Sequence, residues 1–544
     1  MPTDTARSSA PAPAETPGRP PFKEILPLPS ILTIGAIALV TLALDLSGHR
    51  VNSIILAIAA MVALCLIKVP VTIALLSAAL IGGLHAGLGM EGTLAGFNDS
   101  LLSGAQVGLT YVMVGALAVA LSRSGIIEVF AQWVSKKAGA DSGSVSRGVK
   151  WALYGLFILA SLLSQNLIPV HIAFIPILIP PLLPVLNRLR VDRRAVAAIL
   201  ACSMSASYLL LPTGFGAIYL NEILLANVNG FGAAYGLTAT ASMAPKAMFW
   251  PVMGLVAGMA FAVLVMYRKP RDYEEPLPGS PLATRMGVEA RLRPFPLVMT
   301  LLALAAALFF QIAFDSLLVG SMIGFILLTI AGIFRWNEQD DVFTRGLLMM
   351  AQIAVIITVA SGFAGLLTAT GEVEPLISAA TAFVGGSKLL GSLLMLLMGL
   401  FITIGFGDSF ASVPILAPIY IPLALELGFS PLATMCLLGT AAALGDAGSP
   451  ASTISLGVSA GLGDDGRRPH PRDGDPDLPP LQSRDAPLRV DRRAHALVPP
   501  LLRFKAHRPA LVDHRGRGGA SCKGEIRASG LADHPDRAAT GRPG

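Results

Sequence analysis

The stretch GFGDSFASVPILAPIYIP, residues 405–422, decides the fold. It places Asp408 between glycines and a serine in the middle of a long apolar run, with Pro414, Pro418 and Pro422 following at four-residue spacing. An earlier stretch repeats the plan. SQNLIPVH at 164–171 runs into IPILIPPLLP at 175–184, and Pro176, Pro180 and Pro184 each stand 238 residues before their later partners. Pro212 in LPTG and Pro450 in SPAS are separated by the same 238 residues. Each copy reads as an apolar helix broken by polar residues, a proline-studded return, a second apolar segment and a second break. Interrupted helices at matching places in two halves of a membrane chain are the best pointer in a sequence to a transporter's binding site.

Composition agrees with a membrane setting. The chain has 544 residues, 53% hydrophobic and 14% charged, whereas soluble domains carry about 25% charge. The apolar residues gather in windows long enough to cross about 30 Å of hydrocarbon. Candidate spans are 30–47, 51–67, 69–88, 105–122, 150–164, 170–186, 195–211, 246–267, 296–314, 316–335, 346–368, 387–404, 410–427 and 431–445, with 125–135 and 373–385 more amphipathic. The fold class is therefore all-α and polytopic, with interrupted helices, a twofold internal repeat and about 11–13 membrane segments. The net charge of +6 resides in short loops and in the tail, where it orients the chain; nucleic acid is not expected as a partner. Cys65, Cys202 and Cys436 lie in spans and Cys522 in the tail, with no disulfide or metal-ligand spacing.

The domain reading follows. Residues 1–24 form a disordered extension, 25–267 the first repeat, 268–294 a basic cytoplasmic linker and 295–463 the second repeat. The tail, 464–544, is rich in Arg, Pro, Asp and His and offers no span. It reads as disordered and as an out-of-frame translation of a GC-rich gene, since a one-base shift is compatible with an apolar segment over 470–493. The 136–150 loop and the 188–194 turn are both basic. One broken span between them would put them on opposite faces; a hairpin or two short spans would put both inside. The charge rule leans to the latter.

A charge at the bilayer centre costs at least about 2.5–3.5 kcal/mol, so Asp408 and Asp446 are candidate cation or proton sites, a tentative Na⁺ included. Ser409 and Ser449 offer oxygens beside them. Gln165, Asn166 and His171 mark the first break and Thr213 and Gly214 the second, with donors and acceptors suited to a substrate. Glu372 and Glu374 in TATGEVEP read as a loop, and Ser203, Ser205 and Ser207 as packing positions. No Walker loop, HExxH or protease-like pair is present, so an enzyme or an ATP-driven pump is not expected, and no cofactor beyond Na⁺ or H⁺ as the coupling ion.

At 164–183, 213–224 (TGFGAIYLNEIL), 405–422 and 439–452 (GTAAALGDAGSPAS) the chain resembles a bacterial Na⁺/H⁺ antiporter family of the ion transporter superfamily, some of whose members are labelled amino-acid or histidine permeases. The resemblance covers roughly residues 25–463. It implies inverted topology, a multi-pass place in the bacterial inner membrane and secondary transport driven by an ion gradient. Antiport of Na⁺ and H⁺ is the first expectation, with H⁺- or Na⁺-coupled uptake of an amino acid or carboxylate as the alternative. It also implies a site at Gln165, Asn166, Asp408, Ser409, Asp446 and Ser449. Partners are then the bilayer, the ion and any such solute, and a homodimer is compatible. Thr453 stands where the family is expected to carry an acid, and a terminal apolar segment is missing in frame.

Overall fold

The computed structural model describes residues 51–67, 69–125, 147–166, 175, 179, 182–273, 294–446, 449 and 452–462. The 1–24 extension, most of the 268–294 linker, the 464–544 tail, segment 125–135 after its first residue, and His171 lie outside the described residues. Among those described there is helix and no strand. The helices are α1 (Ser53–Leu66), α2 (Val71–His85), α3 (Gly89–Asp99), α4 (Leu101–Ser122), α5 (Arg147–Asn166), α6 (Leu183–Arg188), α7 (Arg193–Leu210), α8 (Phe215–Tyr235) and α9 (Met243–Met266). After the linker come α10 (Pro294–Phe314), α11 (Leu317–Ile330), α12 (Gln339–Ala369), α13 (Val373–Val384), α14 (Lys388–Phe406), α15 (Ser409–Glu426), α16 (Pro431–Ala443) and α17 (Thr453–Leu462). Seven helices among the described residues are long and apolar enough to cross a membrane, and α7 with α8 passes as one span bent by 59° at its break. Five further apolar helices are shorter.

The two halves match element by element at the separation seen in the prolines. Both α7 and α16 open, and α8 and α17 open, 238 residues apart. The α1–α2 pair corresponds to α10–α11, α4 to the first two-thirds of α12, and α5 to α14. The matched helices α4 and α12 run antiparallel. A Cβ at Gly104 would sit 2.7 Å from Ser361 Cβ, and one at Gly115 would sit 2.4 Å from the Gly346 carbonyl, so the two chains ascend in opposite senses. Equivalent helices pointing opposite ways are what an inverted repeat requires. Small residues permit this approach, because packing inside a bilayer relies on backbone proximity more than on apolar transfer.

Helices α14 and α15 form a hairpin. Lys388 Nζ donates to the Gly428 carbonyl at 2.7 Å, and the Tyr420 hydroxyl donates to the Met395 carbonyl. The start of α14 therefore lies beside the end of α15, with the tip at Gly407 and Asp408. Gly407 caps α14 at φ +70, a left-handed conformation that glycine adopts without steric cost. In the first half, Asp192 at the start of α7 is within electrostatic reach of Tyr154 near the start of α5. Gly214, beyond the end of α7, touches the end of α5. Helices α5 and α7 thus run side by side in one sense, and the start of α5 and the start of α7 share a face.

That face is tied together by cation contacts. Arg193 donates to the Leu462 carbonyl at the end of α17 at 2.8 Å and to Asn187 Oδ1 at 3.1 Å, and stacks 4.3 Å from the centre of the Tyr273 ring. Arg190 and Asp272 form an exposed bidentate pair, and the hydrogen bond from that carboxylate holds the guanidinium above its ordinary range. Glu372 stands in the loop, as expected, as the N-cap of α13 and accepts from the backbone N–H and the hydroxyl of Ser53, whereas Glu374, expected in the same loop, lies in the first turn of α13. Glu372 thereby satisfies the start of α1, whose first N–H groups have no partner within the helix.

Candidate functional site

The second hairpin tip is built by Asp408. As N-cap of α15 it accepts from Ala411 N at 2.9 Å, while its own carbonyl takes the Ser412 hydroxyl at 2.6 Å. One carboxylate oxygen is thus committed to the helix start, a favourable place for negative charge. Helix α15 continues unbroken through Pro414, Pro418 and Pro422. Proline has no N–H to return, so the carbonyl of Phe410 receives no helix bond from Pro414.

Beside this tip lies the second break, after α16, where Asp446 is buried. Three hydroxyls surround it. Ser409 donates to Oδ2, Tyr208 reaches the same oxygen at 3.2 Å, and Ser452 donates to Oδ1 at 2.7 Å. Tyr208 also lies 2.6 Å from Ser409 Oγ, so its one proton has two acceptors. Tyr208 and Asp446 are 238 residues apart in sequence, the separation that relates the two repeats. They are therefore equivalent positions that touch, which places this bond at the pseudo-dyad.

The breaks are held to the hairpins in both halves. Gly214 has φ +58 and ψ −131, open to glycine almost alone. A Cβ there would come within 2.6 Å of the carbonyls of Gln165 and Asn166. Gln311 of α10 clamps the same glycine, accepting from its N–H at 2.8 Å and donating to its carbonyl at 3.1 Å. In the second half a Cβ at Gly445 would lie 2.2 Å from Thr403 Oγ1, and Ser449 donates to the Ile404 carbonyl at 3.1 Å. Thr403 and Ile404 are the repeat equivalents of Gln165 and Asn166.

A cavity of about 20 Å³ opens between these parts, lined by Tyr111, Gln165, Tyr208, Ile353, Asp408, Phe410, Asp446 and Ile454. That is room for one water or one small cation. Aromatic rings wall it. Phe410 packs 5.4 Å from Tyr111, 5.2 Å from Tyr208 and 5.3 Å from Tyr219, and Phe215 lies 5.3 Å from Tyr111.

Of the residues expected from sequence, Gln165, Asp408 and Asp446 line this cavity, and Ser409 bonds to Asp446 directly. Asn166 donates to the Leu162 carbonyl at 3.1 Å and packs under Gly216. Thr213 and Gly214 form the break behind the cavity, and Ser449 pins the second break to α14. Sequence reasoning missed Tyr111, Tyr208 and Gln311. The constant separation that paired the prolines also pairs Tyr208 with Asp446, and would have found it.

Residues 201–473 match the Na⁺/H⁺ antiporter family, and residues 52–138 match a second Na⁺-H⁺ antiporter family. An uncharacterized membrane protein of Vibrio parahaemolyticus is 43% identical over 420 residues, covering 77% of this chain and 94% of its own length. The chain belongs to the Na⁺/H⁺ antiporter family. It is a multi-pass membrane protein and a cation-coupled secondary transporter of the antiporter type. Other relatives of this antiporter-family chain are a membrane protein of Haemophilus influenzae, 42% identical over 77% of this chain and 93% of its own, and YuiF of Bacillus subtilis. YuiF, named as a candidate amino acid transporter, is 40% identical over 70% of this chain and 86% of its own. Among solved structures, the YdaH transporter of Alcanivorax borkumensis aligns with TM-score 0.47 at 15% identity, over 68% of this chain and 80% of that one. MtrF of Neisseria gonorrhoeae, from a class of antimetabolite efflux pumps, aligns with TM-score 0.47 at 14% identity, over 72% and 79%.

Proposed function

We propose that Asp408 and Asp446 are the exchange site, binding Na⁺ and H⁺ alternately across a bacterial inner membrane. The observation that carries the reading is two carboxylates facing one 20 Å³ cavity that also receives the Ser409–Tyr208–Asp446 hydroxyl network. Two carboxylates in a water-poor interior are costly unless a cation neutralises them. A space for one small cation makes Na⁺ and H⁺ competitors for the same charge, which is the condition for antiport. The hydroxyls of Ser409, Tyr208 and Ser452 rotate: with the carboxylate free they donate to it, and with Na⁺ present they turn lone pairs to the ion. Hard cations take such oxygen ligands. The two hairpin tips then move with their breaks, because Gly214 and Gly445 fit against them without a side chain's clearance.

An amino acid needs far more space, since organic ligand sites are of order 300–1,000 Å³. The name of the Bacillus relative and the Gln165 amide on the cavity wall favour amino-acid symport as the second reading, in a state with the cavity opened. Proteoliposomes holding the purified protein and a trapped pH dye separate the two. Antiport predicts proton movement on adding Na⁺ with no organic solute present. A silent dye, with labelled amino acid accumulating under an ion gradient, would overturn the first reading.

A further inference from the structure

The hydroxyl of Tyr111 is buried at 2% exposure and makes no hydrogen bond among the described residues. Leaving a buried hydroxyl unpaired costs about 1–3 kcal/mol, and natural proteins keep few such groups. This one belongs to a side chain lining the cavity with Asp408, Asp446 and Gln165. Its ring is fixed by one aromatic from each half, Phe215 just after the first break and Phe410 just after the second hairpin tip. Its helix, α4, is locked along α12 by the glycine contacts described above. The other lining side-chain oxygens come from hairpins and broken helices; from the α4–α12 pair, Ile353 adds an apolar wall and Tyr111 the side-chain oxygen.

We propose that the Tyr111 hydroxyl is a ligand for the coupling Na⁺, contributed by the α4–α12 pair, and that the ion bridges this pair to the hairpin tips. The inference rests on the exchange site proposed above. A neutral phenol oxygen completes the shell of a hard monovalent cation without adding charge, and the ion would satisfy an oxygen that the protein leaves unpaired. Bound Na⁺ would then tie the pair to the moving parts, whereas a proton on Asp408 or Asp446 would not.

The test uses the full-length protein in detergent and in proteoliposomes. Binding of ²²Na⁺ and the shift in melting temperature on adding NaCl are measured for the parent, Tyr111→Phe and Asp408→Asn. Tyr111→Phe removes only an unpaired oxygen, so its melting temperature without Na⁺ should equal or exceed the parent's. Its Na⁺ affinity should fall about tenfold, the equivalent of about 1.4 kcal/mol for one lost ligand. Na⁺ affinity within twofold of the parent overturns the proposal, and assigns the hydroxyl to a cavity water instead. Should Tyr111→Phe melt well below the parent without Na⁺, the hydroxyl is a structural group and the proposal also fails. Asp408→Asn separates the two levels. If it keeps Na⁺ binding, the exchange site itself is misplaced; if it loses binding while Tyr111→Phe keeps it, only the tyrosine's role falls.

Discussion

Replacing Gln311 by Leu probes whether the first break is a held shape or a slack loop. The side chain is buried on α10 and makes two hydrogen bonds to one glycine, at 2.8 Å and 3.1 Å. Leucine keeps the bulk and removes both bonds, leaving the N–H and carbonyl of Gly214 without that partner in an apolar setting. Each orphaned group costs about 1–3 kcal/mol, so the loss is about 2–6 kcal/mol. At about 1–2 °C per kcal/mol for a chain of this length, the melting midpoint should fall by roughly 2–12 °C. Gln311→Glu keeps an acceptor for the N–H and loses the donor, and should lie between leucine and the parent. The readouts are thermal unfolding in detergent and Na⁺-driven proton flux in proteoliposomes. Flux should decline with stability, because Gln165 on the cavity wall packs against the clamped glycine. A leucine variant that melts with the parent and transports normally would refute the claim that this clamp shapes the site.

Three other substitutions have expected outcomes. Asp408→Asn should abolish Na⁺-driven proton flux while leaving the melting temperature close to the parent's, since an amide oxygen can still accept from Ala411 N; flux assays beside unfolding curves check this. Tyr208→Phe removes a donor from a buried carboxylate and should cost about 1.5–3 kcal/mol, with a double-mutant cycle against Asp446→Asn showing non-additivity. Gly445→Ala should cripple folding, because its Cβ would fall 2.2 Å from Thr403 Oγ1 and 2.7 Å from Ile404 N, whereas Gly405→Ala, whose nearest neighbour is Val62 Cγ1 at 3.6 Å, should be tolerated. Comparing the folded yields of the two variants after membrane extraction tests the contrast.

The sequence carried the breaks because prolines and intramembrane acids are conspicuous in apolar runs: the proline separation pairs the two halves, and Asp408 and Asp446 line the cavity of the candidate site. That α5 and α7 start on one side was legible only through charge, from Lys150 and the 188–194 arginines. Tyrosines were opaque for a physical reason. A Tyr inside an apolar helix reads as core or as an interfacial anchor, and only three-dimensional placement reveals that the hydroxyl of Tyr208 meets a carboxylate while that of Tyr111 has no hydrogen-bond partner among the described residues. Gln311 lies inside the apolar run 296–314, and nothing in its sequence context marks it. Thr213 and Gly214 illustrate the converse: a break rich in donors looked like a substrate contact, yet Gly214 spends its polar groups on Gln311.

A position lying on a twofold axis faces its own copy. With tyrosine at both 208 and 446, one phenol could still donate to the other, but no charge would stand at the axis; with aspartate at both, two negative charges would meet there. The observed phenol–carboxylate pair is therefore open only to halves that differ in sequence, and a strictly symmetric pair of subunits could not form it. A single chain can give the two roles to separate residues.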